Sequence, residues 1–360
     1  MSLIDLLDAA GLTGRGGAVF PTGQKLRAAF AHRADLIVNA CDGEIGTHKD
    51  ALVVAEHLDE LRHGAGLMAR TVHWAAHRGS DTEARLLEAG LQVLSVPARY
   101  VASEESALVN HLHGGLARPM MRRAPVVAGS TSPRGRRLPP TLVLNAETVW
   151  RVSQIERFGP DWFRSFGTAA EPGPRLVTIG GRVERPGVYD TAAGIGLGDL
   201  LQAAGAIDVA AVGLSGLSGG WLLGATAWAT VWSDADLAPH GLRTGTGAVH
   251  VLDRGACPLD HVARLTGFAA GESAGQCGPC MFGVPAIAEM LDRLAEGVLR
   301  PDEVRLLHQR VGLLPGRGAC RFPDGVAGFA ASALRTFRTD VEAHLAGGCV
   351  AARERSGATR

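Results

Sequence analysis

The sequence predicts an α/β domain with a mainly parallel sheet, then a small β-grasp-like module and a C-terminal helical bundle. In residues 1–170, short apolar segments alternate with segments of helical spacing, the pattern of a parallel α/β layer. In residues 171–254, two short strands, a short helix and glycine-rich strands follow one another. In residues 255–348, apolar residues recur at helical spacing between short polar breaks, which is typical of a bundle.

The first domain begins its regular pattern with a buried strand and continues by alternation. Ser103 is expected to cap one of its helices, because serine oxygens accept the unpaired amides of a first turn. The predicted elements are the strand Ala34–Val38, a helix within Ala51–His73, the strand Leu91–Leu94, a helix from Ser103 to Leu112, the strand Leu142–Leu144 and a helix from Glu147.

The second and third regions differ from the first in period. Glu184–Gly187 is a turn signal between two strands, and residues 349–360 are expected to form a disordered tail. The predicted elements are the strands Arg175–Ile179 and Gly187–Tyr189, the helix Gly198–Ala204, glycine-rich strands to about Leu252, and helices within Val284–Val298, Pro301–Leu314 and Val326–Leu345.

Composition excludes several classes of protein. The 360 residues carry 36 basic and 36 acidic side chains, so the basic surplus of a nucleic-acid-binding protein is missing. The segment Met1–Gly11 has no basic residue, and we therefore expect a cytoplasmic protein without a secretory signal. Val209–Ser233 is nearly uncharged but rich in glycine and hydroxyl groups, which favours β structure over membrane insertion. Six cysteines in such a protein do not indicate a disulfide framework.

The first candidate site is the glycine-rich segment Gly14–Lys25, which reads GRGGAVFPTGQK. Glycines let backbone N–H groups surround a phosphate, and Arg15 and Lys25 could balance its charge. Taken alone, the motif fits an ordinary surface turn equally well.

Further candidates follow predicted strands. Asn39–Thr47 comes directly after the first buried strand, where ligands of open α/β sheets bind; an acidic loop with a buried cysteine is the alternative. Glu104 and Glu105 open a helix, either as ordinary first-turn residues or to orient a sugar or nicotinamide. Asn145–Thr148 lies at another strand-to-helix junction and carries no meaning by itself.

The third region carries the thiols Cys277, Cys280 and Cys320. Thiolates suit zinc or iron–sulfur iron, but both four-thiolate zinc and ordinary cubane clusters take four ligands. A redox pair of the thioredoxin type would be expected near a βαβ unit instead. Cys349 is interpreted as incidental, and no role is assigned to His308 or the other histidines.

Together and in this order, the motifs resemble the FMN- and NADH-binding flavoprotein subunit of complex I and its relatives in hydrogenase and formate-dehydrogenase diaphorases. The resemblance spans Gly11–Leu345. It implies a Rossmann-like FMN-binding domain, a ubiquitin-like β-grasp module of the SLBB type, and a helical bundle that holds a [4Fe–4S] cluster. It also implies an NADH dehydrogenase-like oxidoreductase that passes electrons between NAD(P)H, FMN and a one-electron acceptor such as ferredoxin.

The resemblance further implies roles for individual residues. Glu44, Glu104 and Glu105 would lie near the nicotinamide and its ribose. Cys277, Cys280 and Cys320 would ligate cluster iron. FMN would be held by Gly14, Arg15, Gly16, Gly17, Phe20, Lys25, Asn39, Asn145 and Thr148.

The chain departs from the family pattern at its cluster motif. Ala274 stands where the family has the first cysteine. Three thiolates suffice for a [3Fe–4S] cluster, whereas a [4Fe–4S] cluster would need Cys257, Ser273, Asp324, water or a partner's residue as a substitute. Loss of the cluster, and a three-cysteine zinc site, are the alternatives.

Other departures surround the implied flavin and nucleotide. Val19 and Ser103 replace glycines, and Cys41 and Asp42 replace an acidic residue and a glutamate. Ala28 and Val126 stand where phenylalanines stack the adenine. Because the chain begins shortly before the glycine-rich motif, docking into a full complex I is not expected. A catalytically degenerate relative with a structural or docking role is therefore the competing hypothesis.

Overall fold

The computed structural model describes residues 1–121 and 124–351. The first region is a parallel sheet in the order β3-β2-β1-β6 with helices on both faces. Its elements are α1 Leu3–Ala10, α2 Thr22–His32, β1 Asp35–Asn39, α3 Lys49–Glu56, α4 Leu58–Met68, β2 Val72–His77, α5 Asp81–Glu88, β3 Val93–Val96, α6 Glu105–Leu112, β6 Thr141–Asn145 and α7 Ala146–Arg164, with a small hairpin of β4 Ser130–Thr131 and β5 Arg137–Leu138 before β6.

Strand β1 lies in the interior of this sheet and is buried on both faces. Leu36 and Val38 pack into one apolar core, whereas Ile37 points to the opposite core. Alternate side chains of a strand point to opposite faces, so both helical layers are held against the same strand.

Two sequence predictions in this region were wrong. The expected helix over Ala51–His73 divides at His57 and ends at Met68, and β2 starts at Val72. The short apolar run of β2 is buried on both faces of the sheet, and hydrophobic periodicity cannot distinguish such a run from a buried helix. Ser103 is not the helix cap, because it lies in a 3₁₀ turn and Glu104 accepts the amides of Ser106 and Ala107 instead.

The second region is a mixed five-stranded sheet, counted over the described residues, in the order β10-β9-β11-β7-β8. Its first and last strands, β7 and β11, are parallel neighbours, and the remaining pairs are antiparallel. This is the strand order of a β-grasp fold. The elements are β7 Pro174–Gly181, β8 Gly187–Ala192, α8 Leu197–Ala203, β9 Val209–Leu214, β10 Gly220–Leu223, α9 Gly224–Ala229, α10 Asp234–Leu237 and β11 Ala248–Asp253.

The third region is a helical bundle. It contains α11 Pro258–Glu272, which the sequence analysis missed, and a π-type turn at Pro279–Gly283. The single helix predicted over Val326–Leu345 is divided near Phe337. The other bundle helices are α12 Val284–Ala295, α13 Pro301–Leu313, α14 Phe322–Thr336 and α15 Arg338–Leu345.

Within residues 1–121 and 124–351, we find no helix with the length and apolar character needed to cross a membrane. Most of the expected disordered tail, residues 352–360, lies outside the described residues. All six cysteines are free thiols.

Candidate functional site

A cavity of about 320 Å³ opens at the carboxyl edge of the parallel sheet. Asn39 and Asn145 end the adjacent strands β1 and β6 and are direct neighbours in register. Because β1 connects to β2 on its other side, this crevice is a point where the strand order reverses. Ligands of open α/β sheets bind at such points, and both asparagines line the cavity.

Hydrogen bonds hold the two asparagines in place. The Asn39 amide donates to the carbonyl of Ser103 at 3.0 Å, and its oxygen accepts the Cys41 N–H at 3.1 Å. The Asn145 oxygen accepts the hydroxyl of Thr148. Thr148 in turn accepts the backbone N–H of Arg15 at 2.8 Å, so the glycine-rich loop is attached to the first turn of α7.

The glycine-rich loop is a tight turn against this crevice. Its ends are closed by a 2.9 Å hydrogen bond from the Gly14 N–H to the Phe20 carbonyl. Gly16 lines the cavity, and Gly17 has φ +93°, a conformation that glycine adopts without steric cost. Val19 has φ +51°. A β-branched residue therefore adopts a left-handed backbone conformation at a position where the family resemblance implies glycine.

The Arg15 guanidinium lies away from the cavity. It is buried and donates to the carbonyls of Pro172 and Pro174, both at 3.1 Å. Burial, with the neighbouring Arg175, lowers its pKa to about 9. Arg15 therefore joins the loop to the start of β7, and the contacts that the structure gives it are to backbone rather than to a phosphate position.

A buried ionic cluster, which the sequence analysis did not predict, forms one wall of the cavity. Lys49 is 2% exposed, and its ammonium lies 3.0 Å from Asp50 and 3.1 Å from Glu147. Asp42 accepts the amides of Asp50 and Ala51 at 3.1 and 2.8 Å, which caps α3. Burial raises the pKa of Asp50, assisted by the charges of Asp42 and Glu147 and opposed by Lys49.

Glu44 lies at the junction of the first two regions. Its carboxylate accepts the Tyr100 hydroxyl at 2.8 Å and the backbone N–H of Leu217 at 2.9 Å. Burial raises its pKa, although these hydrogen bonds favour the ionised form. Glu104 lines the same cavity while capping α6. Two of the three predicted acidic residues are thus brought together here.

Ser103 fills the space that a side chain on Gly43 would need. Its hydroxyl donates to the Tyr100 carbonyl at 3.1 Å, and the residue lines the cavity. Ser103, at a position where the resemblance implies glycine, is therefore accommodated by Gly43 on the facing loop.

A second cavity, of about 690 Å³, opens beside the first. Lys25 and Glu105 line it and lie 3.6 Å apart, and Phe20 and Ala28 also line it. Val126, which the resemblance implies at the adenine position together with Ala28, is buried in the core, and its neighbour Val127 lines the cavity beside Ala28.

The thiols of Cys277, Cys280 and Cys320 gather in the bundle, beside both cavities. Burial, together with the nearby sulfurs of Cys277 and Cys320, raises the pKa of Cys280 to about 12. Cys320 lines the first and the second cavity. This single residue therefore connects the two cavities with the thiol group.

Three soft donors fit a metal cluster better than a hydrophobic core, and Ala274, 8% exposed, lies against them with its N–H towards the Cys280 sulfur. Among the substitute ligands considered, Cys257 is excluded by position. It precedes α11 whereas Ala274 follows it, and the 15 residues of that helix span about 22 Å. Ser273 donates to the Cys280 carbonyl at 3.5 Å, and Asp324 accepts the N–H of Gly316 at 3.0 Å.

The first cavity also has an unsatisfied polar group. The buried Thr246 hydroxyl has no hydrogen-bond partner among the described residues, yet Thr246 lines this cavity. A Cβ added to Gly17 would come within 3.2 Å of Thr246. A polar ligand passing over the glycine loop would therefore satisfy a group that is otherwise costly to bury.

Family models match both ends of the chain. A model described as the Nuo51 FMN-binding domain matches residues 7–154. A model described as the NADH-ubiquinone oxidoreductase-F iron-sulfur binding region matches residues 260–344. The first includes the glycine loop and both asparagines, and the second includes the three thiols.

Relatives align along nearly the whole chain. The F component of NADH-quinone oxidoreductase from Streptomyces coelicolor is 30% identical over 395 aligned residues, which cover 96% of this chain and 84% of the relative. NADH dehydrogenase [ubiquinone] flavoprotein 1, mitochondrial, of Dictyostelium discoideum is 31% identical, and the alignment covers 93% of this chain and 77% of that relative. A crystal structure of NAD+-reducing [NiFe]-hydrogenase in the H2-reduced state superposes with a TM-score of 0.86 at 29% identity. The match covers 95% of this chain but only 62% of that one.

Proposed function

Because this chain belongs to the family of the NADH-quinone oxidoreductase F component and its relatives, we propose that it oxidises a pyridine nucleotide and passes the electrons singly to an acceptor protein. One observation carries the proposal: Cys320 lines both cavities and belongs to the thiol group. A flavin, a nucleotide and a metal cluster would then be neighbours, which is what stepwise electron transfer requires.

We assign FMN to the first cavity. Gly16 offers an approach without a side chain, and Asn39 and Asn145 present fixed amides at the strand ends. The glycine-rich loop is shaped by Gly14 and Gly17. It is attached to α7 and to the start of the second region by Arg15, whose backbone N–H bonds to Thr148. When bound, the flavin supplies hydride acceptance and the release of single electrons. The protein's contribution is to bind the group, orient it and exclude water.

The charges of the chain suit this assignment. Lys49 compensates the carboxylates of Asp50 and Glu147, and the raised pKa of Asp50 lets this wall hold a proton near neutral pH. Negative charge on a reduced ligand is then less strongly opposed, because fewer carboxylates are ionised beside it. Glu44 and Glu104 would face the nicotinamide side from the same cavity.

We assign the pyridine nucleotide to the second cavity, with Phe20 and Lys25 at its edge and Glu105 beside Lys25. Ala28 and Val127 give this cavity a small-residue wall. Because Ala28 and Val127 offer no aromatic face on this wall, adenine loses a stacking contact of about 1–3 kcal/mol there. We therefore expect weak binding of NADH, with a high KM.

We assign an iron–sulfur cluster to Cys277, Cys280 and Cys320, ligated by three protein thiolates because Ala274 brings none. The acceptor that we propose is a ferredoxin-sized protein. Met281 and Phe282, which follow Cys280 directly, are 52% and 71% exposed, and exposed apolar side chains beside a redox site suit transient docking. A cytoplasmic location is part of the same proposal.

The test uses protein purified without oxygen, with flavin, iron and sulfide quantified. We expect one FMN per chain, iron and sulfide in cluster proportions, and bleaching of the flavin band when NADH is added. A Cys320→Ser variant should keep flavin bleaching but slow electron delivery to a ferredoxin. A bound flavin that NADH does not bleach would overturn the proposed activity and support the structural or docking role.

The nucleotide assignment has a gain-of-function test. Ala28→Phe should lower the KM for NADH about tenfold, since 1.4 kcal/mol of added stacking corresponds to that factor. Ala31→Phe is the matched control, because Ala31 lies on the same helix, is exposed and does not line the cavity. Equal KM values for the two variants would contradict the assignment.

A further inference from the structure

Cys257, His344 and Cys349 form a second cluster of metal-binding side chains, at the end of the bundle away from Ala274. Their ligand atoms all lie within 4.8 Å of one another. The Cys257 sulfur is 3.4 Å from Nε2 of His344. Cys257 comes from the start of α11 and the other two from the end of the chain, so the fold, not local sequence, assembles them.

Local structure explains the convergence. Cys257 is the N-cap of α11, where the N–H groups of Leu259 and Asp260 face its sulfur. Burial raises the pKa of the Cys257 thiol to about 11, and these N–H groups at the positive end of the helix oppose that rise. His344 is 5% exposed on the last turn of α15.

The chain then reverses after α15. Gly347 has φ +73° and donates to the His344 carbonyl at 3.0 Å, and Gly348 donates to the Ala343 carbonyl at 2.9 Å. This glycine-dependent reversal returns Cys349 to the imidazole.

We propose that Cys257, His344 and Cys349 bind a zinc ion that fastens the C-terminal helix to the start of α11. Zn–S bonds of about 2.3 Å and a Zn–N bond of about 2.0 Å at tetrahedral angles place sulfur and nitrogen about 3.5 Å apart. The observed 3.4 Å matches this separation. Two thiolates neutralise the charge of the dication. Thiolates and imidazole bind zinc in preference to magnesium or calcium, which prefer oxygen ligands.

The fourth position falls to water or to another ligand, because Cys257 and Cys349 are only half-buried. Three protein ligands with an open fourth position are an established zinc geometry. The site differs from the proposed iron–sulfur group in residues and in location. Its effect is structural: metal binding stabilises the folded C-terminal segment relative to a frayed one.

The test measures metal on the full chain under reducing conditions. We expect one zinc per chain, and cobalt substitution should give the intense visible bands of tetrahedral Co²⁺–thiolate coordination. Zinc can also enter an empty cluster site, so a Cys277→Ser/Cys280→Ser/Cys320→Ser variant serves as background. It should retain one zinc and the cobalt spectrum.

Cys349→Ser in that background should weaken zinc binding at least about 100-fold, since even changes in outer-shell groups cost 10–100-fold. His344→Gln should do the same, and His308→Gln, at an exposed position, is the matched control. A chelator should lower the melting temperature of the background variant but not of Cys349→Ser, which also shows that the latter is folded. No bound zinc in the background variant, unchanged affinity in Cys349→Ser, or a Cys257–Cys349 disulfide as the species present would overturn the proposal.

Discussion

Val19→Gly tests whether the glycine-rich loop stores strain. Val19 has φ +51°, a backbone region in which the Cβ of an L-residue crowds the following carbonyl. A β-branched side chain is especially restricted there. Replacement by glycine removes the crowding and leaves the loop hydrogen bond from Gly14 to Phe20 intact, because that bond joins backbone atoms.

Two opposing terms give the size of the effect. Relief of left-handed strain is worth about 1–2 kcal/mol, and the greater freedom of glycine in the unfolded chain costs about 0.4–1 kcal/mol. We therefore expect Val19→Gly to raise the free energy of unfolding by about 0.5–1 kcal/mol. Arg33 provides the matched control, since it has the same φ of +51°, is exposed and is unbranched.

Urea unfolding of the wild type and both variants, followed by circular dichroism, measures the effect. The gain from Val19→Gly should exceed the gain from Arg33→Gly, because only the former relieves a β-branched side chain. Equal gains would show that branching contributes nothing, and a less stable Val19→Gly would refute the assignment of strain to this loop.

Three further changes test the rest of the site. For a [3Fe–4S] cluster on the three proposed thiolates, Ala274→Cys should supply the fourth thiolate of a [4Fe–4S] cluster and raise iron from about three to about four per chain, with a changed electron paramagnetic resonance signal; an unchanged iron content together with an unchanged signal would contradict the three-thiolate assignment. Lys49→Met should cost about 3–5 kcal/mol in urea unfolding, because buried carboxylates lose their cation, and the loss should be smaller at pH 5 than at pH 8; a pH-independent loss would argue against an electrostatic origin. Burial raises the pKa of Asp50 from 3.8 to about 7, so its contribution to stability is fully present below about pH 4 and is lost as the pH rises through about 7. Wild type should therefore lose stability relative to Asp50→Asn between pH 5 and pH 8, and parallel pH profiles would refute the shift.

The sequence predicted which candidate residues lie at strand ends. Asn39 and Asn145 each follow an apolar run, and parallel strands bring their carboxyl ends to one edge. The general architecture was also predicted correctly, because the change between strand-like and helix-like hydrophobic spacing is visible in the sequence without any tertiary information. Bounds failed where a short strand such as Val72–His77 is buried on both faces.

Features that depend on distant partners could not be predicted. Lys49 lies two residues beyond the Asn39–Thr47 loop, but its partner Glu147 lies almost 100 residues further along the chain. Charged side chains are rarely fully buried unless they are paired, so the sequence alone gives no sign that the fold buries Lys49 and Glu147 together. Cys349 was interpreted as incidental because a lone cysteine near a chain end has no spacing pattern, and only the reversal at Gly347 brings it to His344.

The position of Val127 shows a different limit. The residue lies in a connector with a 3₁₀ turn at Val126–Ala128, where neither period two nor period 3.6 applies. The sequence pattern therefore gives no signal that Val127, rather than Val126, lines the cavity.

Glu44 and Glu147 reach from the first region to backbone amides of the second, at Leu217 and Leu176, at 2.9 and 2.7 Å. During synthesis the parallel sheet emerges from the ribosome before these amides exist. Domains generally fold as units in order of emergence. In a newly made first domain, the carboxylates of Glu44 and Glu147 would therefore lack these two hydrogen-bond donors. FMN should consequently bind stably only after residue 217 has been translated. A fragment that ends near residue 170 should bind FMN poorly.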